Sequence, residues 1–200
     1  MLSRLSHYSL WLMLVLFILA LALVPRHVSE SLAFDRSAIT SGEWWRLVSA
    51  HFVHLSLNHA VGNLFGLGLV AYIVQRSVSA LPLACWLLWC CAGVSMGLWW
   101  FAEDLQRYVG FSGVLHGLLL LAIFFSNHYS RRFAWLFGAV IVAKVLWEQT
   151  PLYDDMAMFD LIGGRVEARA HLWGAMAGGV GVLVAGLRKM SVRSGTPEHE

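Results

Sequence analysis

The sequence has little charge. Only 13% of its 200 residues are charged and 58% are hydrophobic, giving a mean hydropathy of +0.66. A soluble domain of this length rarely carries so few charged residues. The formal net charge of +2 is too small to indicate a nucleic-acid partner, and no basic cluster alternates with aromatic residues. Long uncharged apolar stretches are instead typical of helices that span a lipid bilayer.

Cysteine is also scarce. The three cysteines, Cys85, Cys90 and Cys91, fall in a single apolar segment. Their number is odd and none lies in a predicted loop, so we expect buried apolar side chains rather than a disulfide or a metal site. The apolar run at 10–24 lacks the small-residue cleavage pattern of a secretory signal peptide, so we interpret it as a retained first helix.

Six apolar segments predict an all-α polytopic membrane protein, a single-domain bundle of six transmembrane helices over residues 1–200. The segments are 5–24, 48–74, 81–101, 112–125, 133–147 and 170–187. An even number of spans places both termini on one side of the membrane. The short connections on that side carry only basic charge, which favours the cytoplasmic side for both termini.

The fourth segment is too short to cross a bilayer. Its 14 residues, 112–125, would form a helix of about 21 Å, whereas the apolar core is about 30 Å thick. Ser112, in the motif Gly110-Phe111-Ser112-Gly113, is therefore expected below the outer surface. Irregular backbone at that depth must be buried in protein or line a water-filled cavity. The alternative is an ordinary helix-capping serine.

Polar residues on three segments are expected at a similar depth. The second, fourth and sixth segments all enter from the outer side, and they carry His59, Asn63, Ser112 and His171 near that side. Ionisable residues inside a membrane are costly, so they are functional candidates. Glycines at four-residue spacing would let these helices pack closely; they are Gly62, Gly66, Gly113, Gly117, Gly174 and Gly178.

This arrangement predicts nucleophilic catalysis. Ser112 Oγ would attack a carbonyl, and His171 would take its proton and return it to the leaving amine. The Ser112 backbone N–H and the side chains of His59 and Asn63 would bind the oxyanion. Because no acid lies where it would obviously orient the imidazole, we expect a dyad rather than a triad. Interhelical hydrogen bonding is an alternative role for His59 and Asn63.

The motifs resemble those of the rhomboid intramembrane serine proteases. The resemblance is carried by the run from His54 to Asn63, by Gly-Phe-Ser112-Gly, by His171-Leu-Trp-Gly-Ala-Met-Ala-Gly178, and by Trp44-Trp45-Arg46 in the first outer loop. It implies that Ser112 is the nucleophile, His171 the base, and His59 and Asn63 oxyanion groups. It also implies a structural role for His54, no cofactor, and a membrane-anchored substrate with a transmembrane helix.

His116 departs from that pattern, because many rhomboids carry a tyrosine four residues after the serine. Three roles are open: His116 stacks on or bonds to His171, contacts substrate, or is itself the base. We expect the first, because a base on a separate helix fits the family. Lys144 and Glu148 are four residues apart on the fifth segment. We expect an interfacial ion pair there, with a gate or a substrate contact as the alternative.

A narrower resemblance is to the rhombosortase subfamily. It is carried by Gly-Phe-Ser-Gly-Val-Leu-His116-Gly, by Lys144-Val-Leu-Trp-Glu148-Gln and by the minimal length. It implies a Gram-negative inner-membrane enzyme, open to the periplasm, that processes secreted proteins ending in a Gly-Gly motif, an apolar helix and a basic cluster. The rivals are an inactive rhomboid-like binder of membrane helices and a haem bundle with His59, His116 and His171 as axial ligands. A zinc site at His51, His54 and His59 lacks a carboxylate or cysteine, so no metal is expected.

Overall fold

The computed structural model describes residues 2–75 and 77–194, with side chains over 9–75 and 77–186. This part of the chain forms ten helices and two short strands. They are α1 (Leu2–Ala22), α2 (Arg26–Leu32), β1 (Phe34–Asp35), α3 (Arg36–Thr40), α4 (Arg46–Ser49), α5 (Leu57–Val74), α6 (Ala80–Phe101), β2 (Arg107–Tyr108), α7 (Ser112–Phe125), α8 (Arg131–Glu148), α9 (Phe159–Ile162) and α10 (Ala168–Ser194).

Each of the six predicted apolar segments contains or overlaps one long helix; in order these are α1, α5, α6, α7, α8 and α10. Two of them, Leu57–Val74 and Ala80–Phe101, are long and apolar enough to cross a membrane, while Ser9–Ala22 and Ser112–Phe125 are shorter apolar helices. In α8, charged residues at both ends interrupt the apolar sequence. Six membrane crossings therefore stay a prediction.

Helix α5, which corresponds to the second predicted segment, begins later than predicted, at Leu57 rather than at residue 48. Ser56 is extended and its hydroxyl accepts a hydrogen bond from the His59 backbone N–H at 3.1 Å, which starts α5 there. The preceding residues form α4 and a turn. His51 is fully buried in this turn, where its Nε2 lies 2.9 Å from Ser95 Oγ.

Two arginines fix the connection between α1 and α5. Arg46 is buried and donates from Nη1 to the carbonyls of Glu30 and Ala33, at 2.7 and 2.8 Å. Arg36 donates from Nη2 to the Leu98 and Ala102 carbonyls, both at 2.9 Å, at the C-terminal end of α6. Both guanidinium groups thus satisfy backbone carbonyls that would otherwise lack donors.

A two-residue antiparallel pairing joins this connection to the chain just before Ser112. Phe34 pairs with Tyr108 and Asp35 with Arg107. Asp35 caps α3 and accepts hydrogen bonds from Ser37 Oγ and the Ala38 N–H, which lower the pKa of its carboxyl to about 2. The entry into α7 is therefore held by the outer connection.

Helix α7 lies at the centre, packed against α5, α6, α8 and α10. The surrounding helices expose large apolar side chains, including Leu12, Phe65, Trp100, Trp135 and Leu183. An apolar surface of this extent suits contact with lipid. Cys90 and Cys91 are buried as predicted, but Cys85 is exposed, because it faces outward from α6.

Candidate active site

The seam between α7 and α10 is built on glycine. A Cβ added to Gly113 would lie 2.7 Å from the Ala170 carbonyl oxygen, and one added to Gly117 or Gly178 would lie 2.5 Å from a carbonyl oxygen of the other helix. A Cβ on Gly174 would overlap the Gly113 carbonyl. Four glycines thus let two backbones touch, as the small-residue spacing predicts. Gly62 differs: it has no neighbour that a Cβ would meet, and it lines a cavity.

This contact brings Ser112 and His171 together. Ser112 Oγ lies 2.9 Å from His171 Nε2, although the residues are 59 positions apart. Phe111 occupies the N-cap position of α7 and makes no side-chain capping bond, so Ser112 is not a capping serine. Histidine and serine are within the distance needed for proton transfer.

We expected no acid beside the imidazole, but the structure places one there. Glu148 Oε2 lies 2.9 Å from His171 Nδ1, and the Glu148 side chain is only 3% exposed. Glu148 ends α8 and His171 starts α10, so the connection between these helices brings both to one depth. The same depth argument that placed His171 near Ser112 would have found Glu148.

Lys144 and His116 also contact the cluster formed by Ser112, His171 and Glu148. Lys144 Nζ lies 2.7 Å from Glu148 Oε1 and 2.9 Å from His116 Nε2. The expected ion pair between Lys144 and Glu148 is therefore present, but its carboxylate is buried and also contacts His171. The ring of His116 stacks on that of His171, with centroids 4.2 Å apart, and His116 Nδ1 lies 2.7 Å from the Ser112 carbonyl oxygen. The first of the three roles considered for His116 matches this geometry.

Ser112 and His171 open onto a cavity of about 810 Å³. Of the predicted site residues, its wall includes His54, His59, Asn63, Ser112, His116, Lys144 and His171. Glu148 is not on the wall; it lies behind His171. A cavity of this size accommodates an extended peptide segment together with water.

The wall opposite His171 is formed by α5. Gly110, with φ of +127°, brings its backbone against His59, and a Cβ there would lie 3.1 Å from His59 Nε2. Asn63 is buried and donates one amide N–H to the His59 carbonyl at 3.0 Å, which leaves its second N–H for another acceptor. His54 packs edge-on against His59, with ring centroids 5.0 Å apart.

Ion pairs hold the start of α10. Arg169 donates to Asp104 Oδ1 at 2.6 Å and to Glu167 Oε1 at 2.7 Å. The hydrogen bond from Arg169 lowers the pKa of the Asp104 carboxyl. No pattern in the sequence predicts this anchor, which lies two residues before His171.

The alternative ligand sites do not fit this geometry. His51 is held in the core by Ser95, away from the cavity wall that carries His54 and His59. Among the described residues, the potential metal ligands that converge are His116, Glu148 and His171. The Lys144 ammonium already lies between His116 Nε2 and Glu148 Oε1, where a cation would bind. Because His116 and His171 stack face to face, they cannot ligate opposite faces of a haem.

A serine hydrogen-bonded to a histidine on the wall of a cavity, within an apolar helical bundle, is the arrangement found in serine hydrolases. The sequence model of the Rhomboid domain matches residues 41–188. The chain therefore belongs to the rhomboid family of intramembrane serine proteases, integral membrane proteins that act on membrane-anchored substrates. A comparison with curated proteins gives no match.

Proposed function

We propose that this chain is an active rhomboid-type protease in which Ser112 is the nucleophile and His171 the general base. The observation that carries the proposal is the 2.9 Å contact between Ser112 Oγ and His171 Nε2 at the wall of the cavity. His171 accepts the serine proton as Oγ attacks the scissile carbonyl, and then protonates the leaving amine. Both catalytic groups are present and in contact, which opposes the alternative of an inactive binder.

The oxyanion of the tetrahedral intermediate is bound from the α5 side and from the start of α7. The first backbone N–H groups of α7 have no acceptor within the helix, and the helix dipole favours negative charge there. His59 and the free N–H of Asn63 face the same cavity. Loss of one such donor costs about 2.7–4 kcal/mol in the activation barrier of serine proteases.

The proposed setting is a single domain of six membrane-spanning helices in a bacterial inner membrane. Both termini are cytoplasmic, and the cavity opens toward the periplasm. Support comes from the basic charge of the short connections on the terminal side and from the apolar exposed surfaces of the long helices.

The proposed substrate is a secreted protein with a C-terminal Gly-Gly motif followed by an apolar helix and a basic cluster, as for a rhombosortase. Support comes from the run around Ser112, in which His116 replaces the usual tyrosine, and from the packing of that histidine on His171. Cleavage would occur at or near the small residues, where the substrate helix unwinds most easily.

Co-expression with a Gly-Gly-tailed secreted protein tests this proposal. We expect wild type to release the processed substrate and Ser112→Ala to leave it full-length, since removing the nucleophile leaves no group to form the acyl-enzyme. Immunoblotting of membrane and periplasmic fractions measures the outcome. Ser126→Ala, a serine at the far end of α7, is the matched control and should cleave normally. Cleavage by the Ser112→Ala variant would refute the nucleophile assignment.

A further inference from the structure

Glu148 is placed to act on the imidazole through both of its oxygens. Oε2 lies 2.9 Å from His171 Nδ1, and the other ring nitrogen, Nε2, contacts Ser112. Oε1 lies 2.7 Å from Lys144 Nζ. A buried carboxylate without partners is strongly unfavourable, so these two contacts account for its presence at this position.

The contact with Glu148 decides which nitrogen of His171 carries the proton. A carboxylate accepts hydrogen bonds, so Nδ1 must donate to Oε2 and Nε2 is left without a proton in the neutral ring. Only that tautomer can accept the proton of Ser112 Oγ. The alternative tautomer would direct an N–H at the serine and prevent deprotonation.

We propose that Glu148 is a positioning residue that completes a serine–histidine–glutamate triad, and that Lys144 holds its second oxygen. This inference rests on the proposed function. In the acylation step the Ser112 Oγ–H bond breaks, Oγ bonds to the substrate carbonyl carbon, and the proton moves to His171 Nε2. The resulting imidazolium keeps its Nδ1–H on the Glu148 carboxylate, which stabilises the positive charge while remaining ionised.

The neighbouring groups support an orienting role rather than a purely structural one. His116 packs over the face of His171. It also forms hydrogen bonds with the Lys144 ammonium and with the Ser112 carbonyl oxygen. His116 therefore restricts the imidazole on its face and Glu148 restricts it at Nδ1, while Nε2 is left directed at Ser112. Lys144 is 45% exposed and Glu148 only 3%, so the lysine supplies the charge from the open side.

The variant Glu148→Gln distinguishes an orienting role of Glu148 from a purely structural one. In Glu148→Gln the Lys144 ammonium attracts the amide oxygen and repels the amide N–H₂, so the N–H₂ group faces His171 Nδ1. The ring must then place its proton on Nε2, the unproductive tautomer. In the double variant Lys144→Met, Glu148→Gln the ammonium is gone, and the amide oxygen is free to turn toward Nδ1. A triad thus predicts that a second substitution restores activity.

The experiment uses the full-length protein purified in detergent and measures the rate at which a fluorophosphonate probe labels Ser112. We expect Glu148→Gln to lower this rate by about 10³- to 10⁴-fold, as loss of the orienting carboxylate does in serine proteases. The double variant should be at least about tenfold faster than Glu148→Gln, because it regains the productive tautomer. Lys144→Met alone should label more slowly than wild type but faster than Glu148→Gln, because Glu148 keeps its bond to His171 Nδ1 and loses only the partner of Oε1. Thermal unfolding of each variant reports whether the fold is kept.

The labelling rates decide whether Glu148 acts as the third member of a triad. Labelling of Glu148→Gln at nearly the wild-type rate would overturn the triad, and so would equal rates for the single and double variants, because the loss would then come from altered packing. With a cleavable substrate, a fall in kcat at unchanged KM supports the triad, and a rise in KM alone opposes it. Failure of wild type to be labelled at Ser112 would instead refute the proposed function.

Discussion

Two neighbours of α7, the helices α10 and α8, hold it in different ways. Against α10, backbone meets backbone through glycines, and no side chain lies between Gly174 and the Gly113 carbonyl. Against α8, contact is made by long side chains: Lys144 reaches His116, and Phe124 lies over Gly138. One contact is short and rigid, while the other is adjustable and charged.

This difference separates two tasks within one site. The seam with α10 sets the distance between Ser112 and His171, because neither helix can shift without parting the backbones. The flank with α8 sets the chemical state of His171, because it supplies Glu148 and Lys144. A substitution in the seam should therefore damage the fold and activity together, whereas one in the flank should change activity more than stability.

Among substitutions that test the packing of α7, the largest effect is expected at Gly174. In Gly174→Ala the new methyl group would overlap the Gly113 carbonyl, so α7 and α10 must separate. Overpacking of this kind costs about 1–3 kcal/mol, and a displacement of about 1 Å can cost about 10²-fold in rate. We expect a clear drop in the thermal unfolding midpoint together with loss of probe labelling at Ser112.

Gly179→Ala is the matched control for that variant. It lies on the same helix, and a Cβ there would meet no heavy atom within 4 Å. Its unfolding midpoint and labelling rate should equal those of wild type or slightly exceed them. If the two alanine variants behave alike, the seam is not the rigid contact described.

An intermediate effect is expected at His116, on the flank. His116→Ala removes the ring that stacks on His171, whereas His116→Phe keeps a ring and loses only the polar contacts. Aromatic pairs contribute about 0.5–1.5 kcal/mol, or about two- to tenfold in rate. We expect His116→Ala to label up to about tenfold more slowly and His116→Phe to stay near wild type. An equal loss in both variants would show that the hydrogen bonds, not the stacking, position the imidazole.

The order of the helices and the Ser112–His171 contact could both be predicted from the sequence, because both follow from local signals. Apolar length marks the helices, and the small-residue stripe on α10 has its counterpart beside Ser112. The start of α5 was misplaced because Val48 and its neighbours are as apolar as a span, and hydropathy does not register the cap made by Ser56.

Glu148 was misjudged for a different reason. A lysine four residues before a glutamate on one helix satisfies both charges locally, so the pair needs no distant partner. A carboxylate has two oxygens, however, and the second one bonds to His171 on another helix. Burial, which decides between a surface ion pair and an orienting residue, depends on how α8 and α10 pack, and spacing along one helix does not encode it.

The smallest effect is expected from the same chemical change made on the flank, at Gly138. A Cβ there would lie 3.0 Å from Phe124 Cε2, at the end of a side chain that can rotate away. Alanine in a helix interior is favoured over glycine by about 0.5–1 kcal/mol, which offsets the strain of moving the ring. We expect Gly138→Ala to change the free energy of unfolding by less than about 1 kcal/mol and to leave the labelling rate unchanged. Because the substitution is identical to that at Gly174, a comparable loss of stability at both positions would mean that α8 is held as rigidly as α10, and the division of tasks between seam and flank would fail.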